Sequence, residues 1–252
     1  MAFGYLNWNN TIPDNQNKSC NKSVISNIDF LNLKVENDNI DLVYNVESRF
    51  KTRVTKEKLH NAKTIIDILP EKATKSIASY YYSRVSILEG NTETDQSDIG
   101  NSEVLTDGQI KVLQSADYST NIYIRSDYKV ENEAIGSFEN DYLTYFITII
   151  PEKEAEYTSG YDALIKYLRV QSKDKTQVIT KDQLKPGKVN FTVTKDGTVA
   201  KVKLTSTSGY TSVDIALVEL INNMPEKWNP AMNSKGEKVD QEFVFFFGLE
   251  GC

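Results

Sequence analysis

The 252-residue chain is poor in the side chains that do chemistry near neutral pH: it has one histidine, His60, and two cysteines, Cys20 and Cys252. A single imidazole removes the commonest general base, and with two thiols it leaves few ligands for a soft metal. No Gly-x-Ser-x-Gly, His-Glu-x-x-His or Cys–His pair at a family spacing is present, so the familiar hydrolase signatures are missing. No run of about 18 apolar residues occurs, so no segment reads as a membrane-spanning helix. The opening Met1-Ala2-Phe3-Gly4-Tyr5-Leu6-Asn7 lacks the basic and apolar regions of a signal peptide; the expectation is either a cytoplasmic protein or one whose targeting segment has been removed. An excess of positive charge is lacking too. The 29 Lys/Arg against 35 Asp/Glu give a net charge of -6, which argues against non-specific nucleic-acid binding.

What remains is the make-up of a globular protein: 39% hydrophobic, 25% charged, with 14 Tyr and 10 Phe that favour strands. At about 150 residues per domain, the length suggests one and a half to two domains. The acidity is uneven, since 15 of the Lys/Arg and 21 of the Asp/Glu precede residue 152, leaving 14 of each from there on. A disulfide between Cys20 and Cys252 would close a very long loop, and spacing does not decide whether their Cα atoms approach within about 7 Å; free thiols are the expected state.

Three stretches follow. Residues 1–27 are crowded with Asn, Lys and Ser and read as a polar arm, with a strand at 28–35 as the alternative start of order. Residues 28–151 read as an α+β unit with a mostly antiparallel sheet. Its strands are expected at Asp41–Val46, Ile77–Leu88, Ser119–Val130 and Tyr142–Ile150. Thr55 opens a helix whose stripe Leu59, Ala62, Ile66, Leu69 ends at Pro70, with His60 off the stripe. Thr106 and Gln109 make a capping box for a second helix. The polar, acidic Gly90–Gly100 reads as a mobile loop; its carboxylates lack the EF-hand spacing. Pro151 marks the boundary.

Residues 152–252 carry the most pattern. Gly160 precedes a helix with Leu164, Ile165 and Leu168 on one face. Two alternating β-branched runs, Val189–Lys195 and Thr198–Leu204, flank Asp196-Gly197, which predicts a hairpin with a primed two-residue turn. Thr211 with Asp214 is expected to cap a helix carrying Val213, Leu217, Leu220, Ile221 and Met224 on one stripe, stopped by Pro225. Trp228 then closes the core edge, Pro230 keeps the link extended, and Gly236 reverses the chain into a last strand, Val239–Phe247. Along it Phe243, Phe245 and Phe247 share a face; core filling is the expected use of these rings, an exposed sticky edge the alternative. The order is helix, strand, strand, helix, strand.

This constellation resembles the C-terminal domain of the TonB family of energy transducers over about residues 152–248. The matching pieces are Glu156-Tyr157-Thr158-Ser159-Gly160, the hairpin Phe191–Val199 with Asp196 and Gly197, Thr207-Ser208-Gly209 with Asp214, Met224-Pro225-Glu226-Lys227-Trp228-Asn229-Pro230-Ala231, and Gly236-Glu237-Lys238-Val239. The resemblance implies a non-enzymatic protein of the periplasm or cell envelope, without cofactor or metal. It would grip an extended peptide of an outer-membrane TonB-dependent transporter by strand addition, and an ExbB/ExbD-type complex would supply proton-motive force. On that view the peptide-binding edge is the last strand, with Val239, Gln241, Phe243, Val244, Phe245 and Phe247 tuning register. The chain departs from the family pattern: it has six prolines and no Pro-rich spacer, no inner-membrane helix, and no Tyr-Pro after Tyr167-Leu168-Arg169-Val170. These departures point to an envelope relative that binds with or without energy transduction, and a cut-off N-terminal anchor would reconcile the chain with the full family role. Two other classes are weighed beside it. One is an enzyme using Asp95, Asp98 and Glu103 in the first unit; the other is a diverged duplication that packs on the second unit or forms a homodimer.

Overall fold

The computed structural model describes residues 40–70, 77–132 and 136–249. The arm expected at 1–27, the alternative strand at 28–35 and both cysteines lie outside the described residues. Leu42–Glu47 (β1) alternates polar with apolar and buries Leu42, Tyr44 and Val46. Thr52–Thr55 (β2) runs straight into a helix because the Thr55 side chain accepts the Lys58 N–H as an N-cap. The single helix expected from there to Leu69 is two, Lys56–Asn61 (α1) and Ile65–Ile68 (α2). Thr64 and Asp67 form a second capping box that restarts the chain. The Asp67 carboxylate accepts the N–H groups of Lys63 and Thr64, which hold its pKa below the usual carboxylate range. The backbone at 63 and 65 pairs with residues 105 and 103 instead of continuing the helix.

Ile77–Glu89 (β3) and Thr92–Gly100 (β4) form a hairpin, which corrects the mobile loop expected over Gly90–Gly100. Gly90, at φ 58°, begins its two-residue turn with Asn91. An edge strand with one side in water needs little apolar alternation, and ion pairing holds this one: Glu93 accepts from Arg84 at 2.7 Å and from Ser86 at 2.6 Å. Asp107–Ser115 (α3) starts at the expected Thr106–Gln109 capping box. Asn121–Asn132 (β5) and Ser137–Ile150 (β6) complete a five-stranded sheet of order β2-β6-β5-β3-β4, antiparallel except for β2 against β6. Its apolar face, with Val85, Ile122, Ile124, Ile147 and Ile149, packs with Leu59, Ile65, Ile68 and Leu113 of the helices.

The second half contains Glu156–Tyr157 (β7), Tyr161–Thr176 (α4), Gly187–Val193 (β8), Val199–Ser206 (β9) and Thr211–Asn222 (α5). Trp228–Asn229 (β10), Ala231–Met232 (β11), Lys238–Val239 (β12) and Gln241–Leu249 (β13) follow. β10 pairs with β7 and β11 with β12 in short ribbons, and Pro230 separates the two. The main sheet has four antiparallel strands, not three, in the order β1-β13-β8-β9. The extra strand is β1, which sequence order assigns to the first unit and pairing assigns to the second. The molecule is therefore α+β with mostly antiparallel sheets, as expected, but the sheets are not cut at Pro151.

Several local expectations change in detail. The expected strand Val239–Phe247 is split, with β12 in the ribbon and β13 in the sheet. Only Gly197, at φ 76°, is left-handed in the β8–β9 turn. The Gly197 N–H donates to the Thr194 carbonyl and the Thr194 N–H to the Thr198 carbonyl. That is a three-residue loop with glycine at its bulge, not the primed turn. Thr211 is the first residue of α5 and Tyr210 its N-cap. Asp214 instead accepts the Thr207 hydroxyl at 2.5 Å and the Ser208 N–H at 2.9 Å, fixing the loop ahead of the helix.

Candidate functional site

A sheet edge binds an extended peptide only if its outward N–H and C=O groups are free, so the neighbours of β13 decide what it can do. On one side β8 pairs from Gln241↔Val193 to Phe247↔Gly187. On the other, β1 pairs from Glu47↔Val244 to Leu42↔Leu249. Where β1 stops, the Glu242 N–H donates to the Ser119 hydroxyl at 2.8 Å. That bond shows that the even-numbered backbone groups of β13 point to this border. Each from 242 to 248 thus meets Ser119 or one of the three β1 residues Glu47, Asn45 and Val43. The open edge expected over Gln241–Phe247 is corrected: among the described residues the border is filled along its length.

The filling strand is anchored by its core face. Tyr44 stands edge-on to Phe247 at 5.3 Å and tilted against Phe245 at 5.9 Å, and its hydroxyl shares a 2.7 Å hydrogen bond with Ser172 of α4. Burial pushes the Tyr44 pKa up. Arg169 lies 5.1 Å from the Tyr44 ring centre and pairs with Asp41 at 3.5 Å. Tyr161, from the start of α4, donates to the Asn45 side chain at 2.5 Å and accepts the Val46 N–H at 3.4 Å. Complete burial of each apolar side chain stabilises by about 1.5–3 kcal/mol; Leu42, Tyr44 and Val46 together make β1 a core strand.

The residues assigned to a peptide edge have other duties. Phe243, Phe245 and Phe247 face the helices, buried to 6%, 0% and 2% exposure. Phe243 stacks on Phe191 at 5.8 Å and lies against Trp228 at 5.2 Å. Trp228 meets Tyr157 edge-on at 5.5 Å and so closes the core as expected. Val244 points to the opposite face, where it is buried and shares a narrow cleft with Arg49, Phe50, Asn91 and Asn190. Gln241 accepts the Ala155 N–H and donates to Glu154, each at 2.8 Å, pinning the linker. Val239 sits in the β11–β12 ribbon. Burial beside that cleft raises the Glu242 pKa, against the lowering effect of Asn190 and nearby cations.

The structural positions are more legible. A Cβ on Gly197 would clash with the Trp228 carbonyl oxygen, and the Trp228 N–H donates back to the Gly197 carbonyl at 2.9 Å. Gly209, at φ 90°, abuts the Gln183 carbonyl. Gly236, at φ 77°, turns the β11–β12 ribbon, Pro225 follows the end of α5, and Asp196 is exposed at its turn. Of the carboxylates weighed for catalysis, Asp98 accepts the Thr106 hydroxyl at the start of α3, while Asp95 and Glu103 are exposed, on β4 and on the loop beyond it. Among the described residues no group of three or more His, Cys, Asp or Glu could hold a metal ion. No helix of the described residues is long and apolar enough to cross a membrane.

Sequence reasoning found β1 as a strand but not its place, and it missed Ser119, whose positive φ of 66° is unusual for a side chain of that kind. The alternation of Leu42, Tyr44 and Val46 announces a buried face without naming the sheet that buries it. With this geometry established, residues 187–249, from the start of β8 to the end of β13, match the family model described as Gram-negative bacterial TonB protein C-terminal. No curated protein and no solved structure matches the chain.

Proposed function

We propose that this protein, which carries a TonB C-terminal domain, is a non-enzymatic interaction protein of the Gram-negative cell envelope whose last unit holds an extended strand against β13. At rest the strand it holds is its own β1. One observation supports this above the rest: the border that the family resemblance assigns to a foreign peptide is completed by Val43, Asn45, Glu47 and Ser119 of the same chain. An extended peptide of an outer-membrane transporter then enters only in exchange for β1. Its apparent affinity falls by the fraction of molecules in which β1 has left. Force reaching the unit from the amino-terminal side, as an ExbB/ExbD-type complex would deliver it, meets β1 before any other strand described.

The test is a labelled peptide copying residues 40–48, titrated into the whole protein and followed by fluorescence anisotropy. Wild type is expected to bind it weakly. Val46→Ala and Tyr44→Ala, which loosen β1 by about 1–4 kcal/mol each, are expected to bind it at least fivefold more tightly. Equal binding by wild type and both folded variants, shown folded by near-ultraviolet dichroism, would remove the exchange step.

A further inference from the structure

With β13 filled, the longest unpaired border among the described residues lies in the other sheet, on β6. β2 covers only Ile147–Ile150 of that strand, and the Phe50 N–H donates to the Thr148 hydroxyl just short of the gap. From Ser137 to Phe146, a length of about 30 Å at ~3.4 Å per residue, no described strand lies on the side away from β5. The Ile149 N–H donates to the Thr120 carbonyl and its own carbonyl accepts the Ser119 N–H, so odd-numbered backbone groups face β5. Pairing with β5 continues without a register shift to Ser137. The groups of Phe138, Asn140, Tyr142 and Thr144 therefore point outward.

Two features give this border a chemistry. On the face carrying the even-numbered side chains, Phe138 and Tyr142 are 61% and 60% exposed, with Arg125 lying 4.9 Å from the Tyr142 ring centre. On the other face Glu139 and Asp141 stand beside the same edge, and β6 carries no cation between residues 137 and 150. The Asp141 carboxylate accepts the outward Tyr142 N–H at 2.8 Å. This intrachain bond shields one ladder position; Asp141 also accepts the Tyr128 hydroxyl at 3.3 Å and Glu139 the Asn132 side-chain N–H at 2.7 Å, neutral donors that hold both carboxylates beside the edge without cancelling their charge. A strand laid here places alternate side chains against the aromatic pair and against the carboxylates.

We infer that the β6 border from Ser137 to Thr144 binds an extended segment of a partner protein in which apolar and basic residues alternate. The occupant is unlike a second copy of β6, because antiparallel self-pairing sets Glu139 and Asp141 of one copy near those of the other, a repulsive arrangement. The inferred site, Ser137 to Thr144, shares no residue with the β13 border, so either can fail alone.

The experiment uses the whole protein and two seven-residue probes, one alternating lysine with valine and one alternating glutamate with valine. Wild type is expected to bind the basic probe, more weakly as salt rises, and not the acidic one. Asn140→Pro deletes an outward donor without touching the β5 ladder, and is expected to weaken binding about tenfold or more while the protein stays folded. Glu139→Lys is expected to reverse or abolish the preference between probes. Equal affinity for both probes, undiminished binding by the proline variant, or no binding by folded wild type overturns the inference. So does a wild-type dimer that Asn140→Pro makes monomeric, because the border then serves a second copy.

Discussion

Two glycines with nearly the same φ should respond differently to a methyl group. Gly197 (φ 76°) and Gly236 (φ 77°) both turn short hairpins, but a Cβ on Gly236 meets nothing within 4 Å, whereas one on Gly197 meets the Trp228 carbonyl. That carbonyl cannot retreat easily, since the Trp228 N–H is bonded to Gly197 itself. Gly236→Ala is expected to cost only the left-handed strain, about 1–2 kcal/mol. Gly197→Ala adds a backbone clash and is expected to cost about 3 kcal/mol or more. Denaturant midpoints of the two variants decide it, and equal losses would show that the 197–228 contact yields freely. Tyr80 makes the opposite case, a side chain whose polar atom hinders. Its hydroxyl is buried without a partner among the described residues. Burial first, then the charges of Glu103 and Tyr128, push its pKa up to about 12. The folded state thus holds a proton that the unfolded chain releases near pH 10. The associated stability is intact below about pH 10 and is lost as pH rises from there to about 12. Tyr80→Phe keeps the ring against Tyr128. At neutral pH it is expected to match or exceed wild type by up to about 1 kcal/mol. Its stability should also fall less between pH 10 and 12 in a urea titration series.

At the scale of elements, the difference between a core strand and a borrowed one can be measured. If β1 is integral to the sheet, the amides of Val43, Asn45 and Glu47, which face β13, should exchange with solvent nearly as slowly as those of β8. Leu42 and Tyr44, whose amides face outward on the same strand, should exchange faster. Fast exchange at all five positions would mean that β1 opens independently at little cost. The same strand shows where sequence stops being informative. Local patterns carried most elements: the Thr106–Gln109 box started α3, and the stripe from Val213 to Ile221 made α5. Glycine at 197 made the hairpin, though with a three-residue loop. Lys201, at φ 52°, adds a bulge in β9. It lets Val199 and the even-numbered Val202 and Leu204 share one core, which strict alternation forbids. What failed were choices that no local pattern encodes. β4 is polar because it is an edge held by Arg84 and its neighbours, so its sequence reads as loop. β1 pairs with a strand some two hundred residues later, and alternation gives a strand its faces but not its neighbour.

For the whole molecule, β1 belongs to a core other than the one that sequence order would assign it. One core runs from Val54 to Ile149; the other combines Leu42, Tyr44 and Val46 with residues from Ala155 to Phe247. The seam carries polar ties as well: Glu154 accepts from Arg53 at 2.6 Å and from Gln241 at 2.8 Å, and Ser119 caps Glu242. A fragment of residues 152–252 therefore lacks one strand of its own sheet. Three buried side chains are missing from its core, and the β13 border is exposed beside Phe245 and Phe247. Such an edge pairs with whatever strand it meets, so the fragment is expected to associate with itself. A fragment of residues 40–252 should be monomeric by light scattering. Adding a peptide of residues 40–50 to the shorter fragment should supply the absent strand, returning it to a monomer–peptide complex and raising its melting temperature with peptide concentration. A short fragment that is monomeric, cooperative and indifferent to the peptide would make β1 an ornament of the sheet, and the exchange at β13 would lose its physical basis.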